Sequence, residues 1–280
     1  MTVGTMPLPT DRLAIVMAHP DDEVLWACSA LRAAEKIVVV YGEWPGAPII
    51  TAGRREAMAA FPLPTLDWLA MPETGVFDSA SWPEVRETDY GLYPHPALRV
   101  LHNFNADQYR AQFGKLREVL RPRLAGIRNV IAHGPWGEYG HEEHVQVFRV
   151  VASLAAEMGF RLWVPAYAAP KSEALMLRNL RFLGRPTPPL PVDKALADEI
   201  SQIYKRTKTW TWFDSYVWPD REWFLPWDPQ GAPAGKAATE ADVQRIVFPP
   251  DYEATRRAQL NWKRELKRRF LSWKNGRQAG

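Results

Sequence analysis

Cysteine is nearly absent: the 280-residue chain carries one, Cys28. A single thiol excludes an internal disulfide framework and makes the reducing cytoplasm the expected compartment. Long apolar runs are missing as well, and no stretch approaches the roughly 20 residues that a bilayer crossing needs. The N-terminus, MTVGTMPLPTDR, lacks a basic stretch followed by an apolar core, so no secretory signal is expected. An excess of one charge is also lacking. Thirty-five Lys and Arg against 32 Asp and Glu leave a net +3, too little to argue for nucleic acid as a partner. What is present is ordinary for a globular protein, at 46% hydrophobic and 24% charged residues, apart from 25 prolines and 13 tryptophans.

Residues 13–19, LAIVMAH, form an apolar, branched run that reads as a buried strand. A helix is expected from Glu23 to Lys36, a second strand at Ile37–Tyr41, a helix at 53–61 and a third strand at Leu66–Met71. Residues 72–104, rich in Pro, Gly and Asp, read as long loops. A helix at 106–121, a strand at Asn129–His133, a glycine-bearing loop at 134–140, a helix at 141–158 and a strand at Arg161–Val164 follow. Strands and helices alternate with connections too long for hairpins. That order implies a three-layer αβα, Rossmann-like parallel sheet over residues 1–183. The stretch 184–191, GRPTPPLP, is the expected boundary to a mostly helical or irregular Trp-rich extension packed on the core over 184–280.

In such sheets ligands bind beyond the carboxyl ends of the strands, and two polar clusters fall there. His19, Asp21 and Asp22 crowd the mouth of the first strand in AHPDDE. Carboxylates this close repel one another, and partial burial adds a desolvation cost; a metal ion removes both objections. An aspartate capping the next helix would explain one of the two acids only. In HGPWGEYGHEEH, His133 ends a strand, glycines allow close backbone approach, and His141 and His144 share one face of a helix start. Glu142 and Glu143 suit the first turn through the helix dipole and need no catalytic role. A hydrolytic metal site takes three His, Asp or Glu ligands and leaves a place for water, which two histidines and an aspartate from these clusters supply. A remaining carboxylate can accept the water's proton, and a remaining imidazole can face the developing oxyanion. The set is that of amide hydrolysis. Zinc is preferred, and iron or another divalent metal also fits these ligands.

The segments AHPDDE at 18–23 and GEYGHEEH at 137–144 resemble the PIG-L / LmbE-like deacetylases, over roughly residues 10–165. Members of that family remove acetyl groups from N-acetylglucosamine units of small conjugates, lipids and antibiotics. The resemblance implies that His19, Asp22 and His144 bind zinc and that Asp21 is the general base. It implies that His141 stabilises the oxyanion or acts as general acid, with Tyr139 polarising the acetyl carbonyl. Arg54, near Glu56, is similar to an arginine that contacts the sugar. Many members have Pro–Asp where this chain has Glu142–Glu143. The implied reaction frees acetate from a GlcNAc-type glycoconjugate, a small-molecule or lipid-linked amino sugar. The alternatives are an amidase cleaving a larger amide of a sugar conjugate and a non-catalytic carbohydrate-binding protein.

Trp136, inside the histidine loop, is the favoured aromatic substrate contact. Trp210, Trp212, Trp218, Trp223 and Trp227 are read first as packing and second as a saccharide platform. Residues 256–277 read as a basic amphipathic helix, docked on the domain or touching an anionic membrane surface.

Overall fold

The apolar runs do form a sheet buried on both faces. The computed structural model describes residues 7–96 and 104–249. Its strands are β1 (Leu13–Met17), β2 (Lys36–Glu43), β3 (Leu66–Pro72), β4 (Glu87–Thr88), β5 (Gly91–Leu92), β6 (Asn129–Ala132), β7 (Arg161–Pro165), β8 (Tyr167–Ala168), β9 (Leu190–Pro191), β10 (Arg221–Glu222), β11 (Phe224–Pro226) and β12 (Gln244–Arg245). Its α-helices are α1 (Asp22–Trp26), α2 (Pro48–Ala59), α3 (Ala106–Arg123), α4 (Glu142–Met158), α5 (Glu173–Asn179) and α6 (Lys194–Arg206).

The main sheet has the order β11-β7-β6-β1-β2-β3, parallel except for β11, which runs antiparallel to β7. In register, Val16 lies between Val38 of β2 and Ala132 of β6. Alternation along β1 divides the core in two, as the pleat requires. Ala14 and Val16 face Leu116 and Leu120 of α3 and Val147 and Phe148 of α4. Leu13, Ile15 and Met17 face Leu25 and Trp26 of α1, Ala57 of α2, and Leu196, Ile200 and Tyr204 of α6.

From β1 the chain winds outward through β2 and β3, then returns to place β6 on the other side of β1 and β7 beyond it. The direction of winding therefore reverses between β1 and β6. Loops leaving these two strands part there and open a crevice, the usual ligand position in such folds. Both polar clusters leave the sheet at that point.

Several elements differ from expectation. The helix expected over 23–36 stops at Trp26, and Cys28–Ala33 continues as a 3-10 helix. The backbone breaks at Ala27 (φ −144°), and the Ser29 N–H donates to Glu222 Oε2 at 2.8 Å instead of to a helical carbonyl. α2 starts earlier than expected, at Pro48, whose fixed φ suits a first helical position. The 72–104 segment contains the short hairpin β4–β5. Residues beyond 184 supply α6 to one face of the sheet and β11 to its edge. No helix among the described residues is long and apolar enough to cross a membrane. The basic segment 256–277 lies outside the described residues.

Candidate metal centre

The site is assembled by backbone before any side chain is considered. Beyond β1, the Tyr41 N–H holds the Ala18 carbonyl at 2.7 Å, and the Ala18 N–H donates to His133 Nε2 at 2.8 Å. The chain then turns sharply, with Asp21 in the left-handed region (φ 94°), a conformation that costs a non-glycine residue energy and is kept where the surroundings enforce it. Asp22 opens α1. Its Oδ2 accepts the His19 N–H at 2.8 Å and its Oδ1 accepts the Trp26 indole N–H at 2.9 Å. On the β6 side Gly137 has φ 65°, and a Cβ there would stand 2.6 Å from the His141 carbonyl oxygen, so only glycine permits the turn. His141 caps α4, its Nδ1 accepting the Glu143 N–H at 3.2 Å.

These turns bring three ligand atoms together. His19 Nδ1 lies 3.3 Å from His144 Nε2 and 3.3 Å from Asp22 Oδ2, and His144 Nε2 lies 3.1 Å from Asp22 Oδ2. Metal–ligand bonds of about 2.0–2.2 Å at tetrahedral angles separate ligand atoms by about 3.3–3.6 Å. The opposite ring nitrogens settle the tautomers. His19 Nε2 donates to Glu143 Oε2 at 2.9 Å, and His144 Nδ1 donates to Glu138 Oε2 at 2.8 Å. In the neutral rings both facing nitrogens therefore carry lone pairs, aimed at each other and at a carboxylate oxygen. A cation relieves that repulsion, and carboxylates behind ligating histidines are the customary support. The donor set fits a divalent metal.

Three other groupings of donor atoms lie close by: Asp22 with His133 and His144, His19 with Glu73 and Glu143, and His19 with His141 and His144. In the first, His133 Nε2 already accepts the Ala18 N–H while its Nδ1 donates to Glu138 Oε2 at 2.8 Å. With both ring nitrogens engaged, His133 offers a metal no lone pair and serves as a support. In the second, Glu143 is the acceptor for His19 and takes the Thr74 N–H and hydroxyl at 2.7 and 2.8 Å.

The titrations follow from burial and neighbours. Burial opposes charge on His19, yet hydrogen bonds to Asp22 and Glu143 and the charge of Glu73 hold it up at about 10. The cluster is thus rich in negative charge and stabilises a cation. Burial would raise Asp22 and Glu138. The imidazoles of His144 and His133 outweigh it, keeping Asp22 well below the usual carboxylate range and Glu138 at about 2. Asp21 goes the other way: burial and the adjacent Asp22 push it up to about 7, against two Thr211 hydrogen bonds and the charge of Arg54. Burial, with the charges of His144 and His19, keeps His141 neutral. Since its Nδ1 is an acceptor, the His141 proton sits on Nε2.

The structure brings His19, Asp21, Asp22, His141 and His144 together. Tyr139 joins them, its ring 5.2 Å from His144 and 5.9 Å from His141. Phe77, partly exposed, stacks on His141 at 4.7 Å. Arg54 is buried and paired with Glu73, whose Oε1 lies 4.0 Å from His19 Nε2, so its link to the site runs through that carboxylate. Trp136 is corrected: it is fully buried, and its indole N–H donates to the Tyr167 carbonyl at 2.6 Å, leaving no face for a sugar. The dipole reading of Glu142 and Glu143 also falls short. Both are buried; Glu143 orients His19, and Glu142 accepts the N–H groups of Asp78 and Ala80 and the Trp82 indole N–H, tying that loop to α4. Glu138 and Thr211 were not singled out by sequence. A glutamate inside a glycine-rich histidine loop was a usable signal for Glu138; nothing local marks Thr211.

The other tryptophans divide. Trp218 donates to the Val24 carbonyl, Trp223 to that of Asp242, and Trp227 packs on Phe148 and Phe182. Trp212 instead stands 5.0 Å from Tyr139 and edge-on to Trp26 at 5.3 Å.

No family model matches the chain. A 1D-myo-inositol 2-acetamido-2-deoxy-alpha-D-glucopyranoside deacetylase of Streptomyces avermitilis is 32% identical over 171 residues, 55% of this chain and 57% of that protein. A deacetylase of the same name (numbered 1) from Frankia casuarinae is 25% identical over 179 residues, 56% of this chain and 55% of that protein. The chain thus spans about half the length of the curated relatives it matches. Among solved structures, a deacetylase–teicoplanin complex in the biosynthesis pathway of teicoplanin superposes with a TM-score of 0.52 at 14% identity, covering 81% of this chain and 99% of that one. At that identity the likeness is one of fold. The curated relatives are deacetylases, in agreement with the resemblance of the two motifs to PIG-L / LmbE-like deacetylases, and the structural neighbour shares the fold.

Proposed function

We propose that the chain is a zinc-dependent N-deacetylase that frees acetate from an N-acetylated amino sugar of the GlcNAc type. The observation that carries this reading is the convergence of His19 Nδ1, Asp22 Oδ2 and His144 Nε2, with each histidine tied back to a buried carboxylate. Held there, a divalent metal supplies Lewis-acid activation of water and of the amide carbonyl.

The remaining roles belong to side chains beside the triad. Asp21 takes the proton of the attacking water and returns it to the departing amine; a carboxylate raised to about 7 accepts and releases a proton near neutral pH. His141, neutral with its proton on Nε2, donates a hydrogen bond to the oxyanion as it forms. Tyr139 stands beside it for the acetyl oxygen. The rings of Phe77, Tyr139 and Trp212 border the site and suit the apolar face of a sugar. The Trp212 indole N–H is buried without an acceptor among the described residues, and a sugar oxygen would satisfy it.

The test is acetate release by zinc-reconstituted protein from a panel of N-acetylated sugars, beginning with the N-acetylglucosaminyl-inositol named in its relatives. Turnover is expected to fall about 10²- to 10⁴-fold in Asp21→Asn, with metal retained. Release of a larger acid would move the activity to a conjugate amidase. No release from any member of the panel by metal-replete protein would refute the reading.

A further inference from the structure

Asp21 is held from a distant part of the chain. Its Oδ2 accepts two hydrogen bonds, from the Thr211 N–H at 2.9 Å and the Thr211 hydroxyl at 2.7 Å. Its Oδ1 accepts none among the described residues. The terminal torsion of an aspartate is soft, with broad wells, so a carboxylate without such donors can turn about it. Two donors converging on one oxygen stop that rotation and fix the direction in which Oδ1 presents its lone pairs.

Thr211 is in turn placed by a closed circuit of hydrogen bonds and covalent chain that starts and ends at Asp21. The Asp21 N–H donates to Glu23 Oε2 at 3.1 Å, and Glu23 Oε1 accepts the Tyr204 hydroxyl at 2.6 Å. The Tyr204 carbonyl, in the last turn of α6, accepts the N–H groups of Thr209 and Trp210 at 2.8 and 3.2 Å. The chain reverses at Lys208, in the left-handed region (φ 58°), and Thr211 follows directly. Trp212, wedged against Trp26 and Tyr139, closes the far side. The strained Asp21 backbone is thus clamped at both its amide and its carboxylate by one unit, and every link but Glu23 lies in residues 204–211.

We propose that Thr211 is a positioning residue for Asp21, so that the segment after α6 is a working part of the site as well as packing. The proposal rests on the reading of Asp21 as general base. Thr211→Val keeps the shape and the N–H but removes the hydroxyl; Thr211→Ser keeps both donors.

With N-acetylglucosaminyl-inositol as probe, Thr211→Val is expected to lower kcat on the order of ten- to a hundredfold, with KM and metal per chain within twofold of wild type, and Thr211→Ser to recover most of the loss. In an Asp21→Asn background the valine change should cost nothing further. Wild-type kcat in Thr211→Val, or a loss in Thr211→Ser as deep as in Thr211→Val, would overturn the role. Thr211→Ala serves in the same cycle if the valine variant melts early or loses metal, and additive effects there would also overturn it. A crystal structure of Thr211→Val gives a readout independent of turnover: Asp21 unmoved and in a single rotamer contradicts the proposal. An active Asp21→Asn enzyme would instead sink the reading of Asp21 as base, whereas a dead Asp21→Asn with a fully active Thr211→Val removes only the positioning role.

Discussion

The two ends of the same parallel sheet are built on opposite electrostatic terms. At the amino end Arg128 pairs with Asp11 at 3.1 Å and Arg123 with Asp67 at 2.9 Å, all on side chains between about a third and three-quarters exposed. Such pairs stand in water and contribute about 0–1 kcal/mol each. At the carboxyl end His19, Asp21, Asp22, His133, Glu138, His141, Glu143 and His144 are all buried, several with no exposed surface. Buried charge is costly unless every group finds a partner, and here most partners are one another, with Thr211 holding Asp21. The fold tolerates charge at one rim and concentrates it at the other, where the winding reverses. A functional site is legible as the place where charge burial is concentrated and reciprocally satisfied.

Breaking that contrast at its centre should have the largest effect. His144→Ala is expected to remove the metal and bring acetate release to background, read by metal analysis alongside turnover; retained stoichiometric metal would exclude His144 as a ligand. Glu138→Gln leaves the ligands in place but removes the charge behind His144 and His133. Metal affinity should weaken about 10- to 100-fold in a chelator competition, and unchanged affinity would reduce Glu138 to a loop anchor. At the other rim, Arg128→Ala should change stability by no more than about 0.5 kcal/mol and leave metal and turnover alone. A large loss there would erase the difference between the two ends.

Much of this architecture is legible in the sequence because burial on both sheet faces leaves unbroken apolar runs. LAIVM and IVVVY could be read directly, and the residues just past them fall by necessity on the carboxyl rim. Asp21, Asp22 and the three histidines at 19, 141 and 144 were legible for the same reason. Glu143 was not, since a glutamate in a first helical turn has an adequate dipole explanation, and only the fold reveals that His19 reaches it. Trp136 misled because closeness in sequence to a histidine says nothing of which way a ring turns in a loop of positive-φ glycines. The stop at Trp26 depends on Glu222, and the hold on Asp21 on Thr211. Both are contacts between residues nearly two hundred positions apart, which no local pattern encodes.

The short strand β11 bears on how the chain is made as well as how it stands. It covers the outer edge of β7 through Phe224, Leu225 and Pro226, opposite Pro165, Val164 and Trp163. During synthesis β7 emerges well before β11, and for that interval its outward row of peptide groups is an open template for a neighbouring copy. The strand that closes this edge is three residues long and arrives late. Any truncation ending before it would leave that edge permanently adhesive.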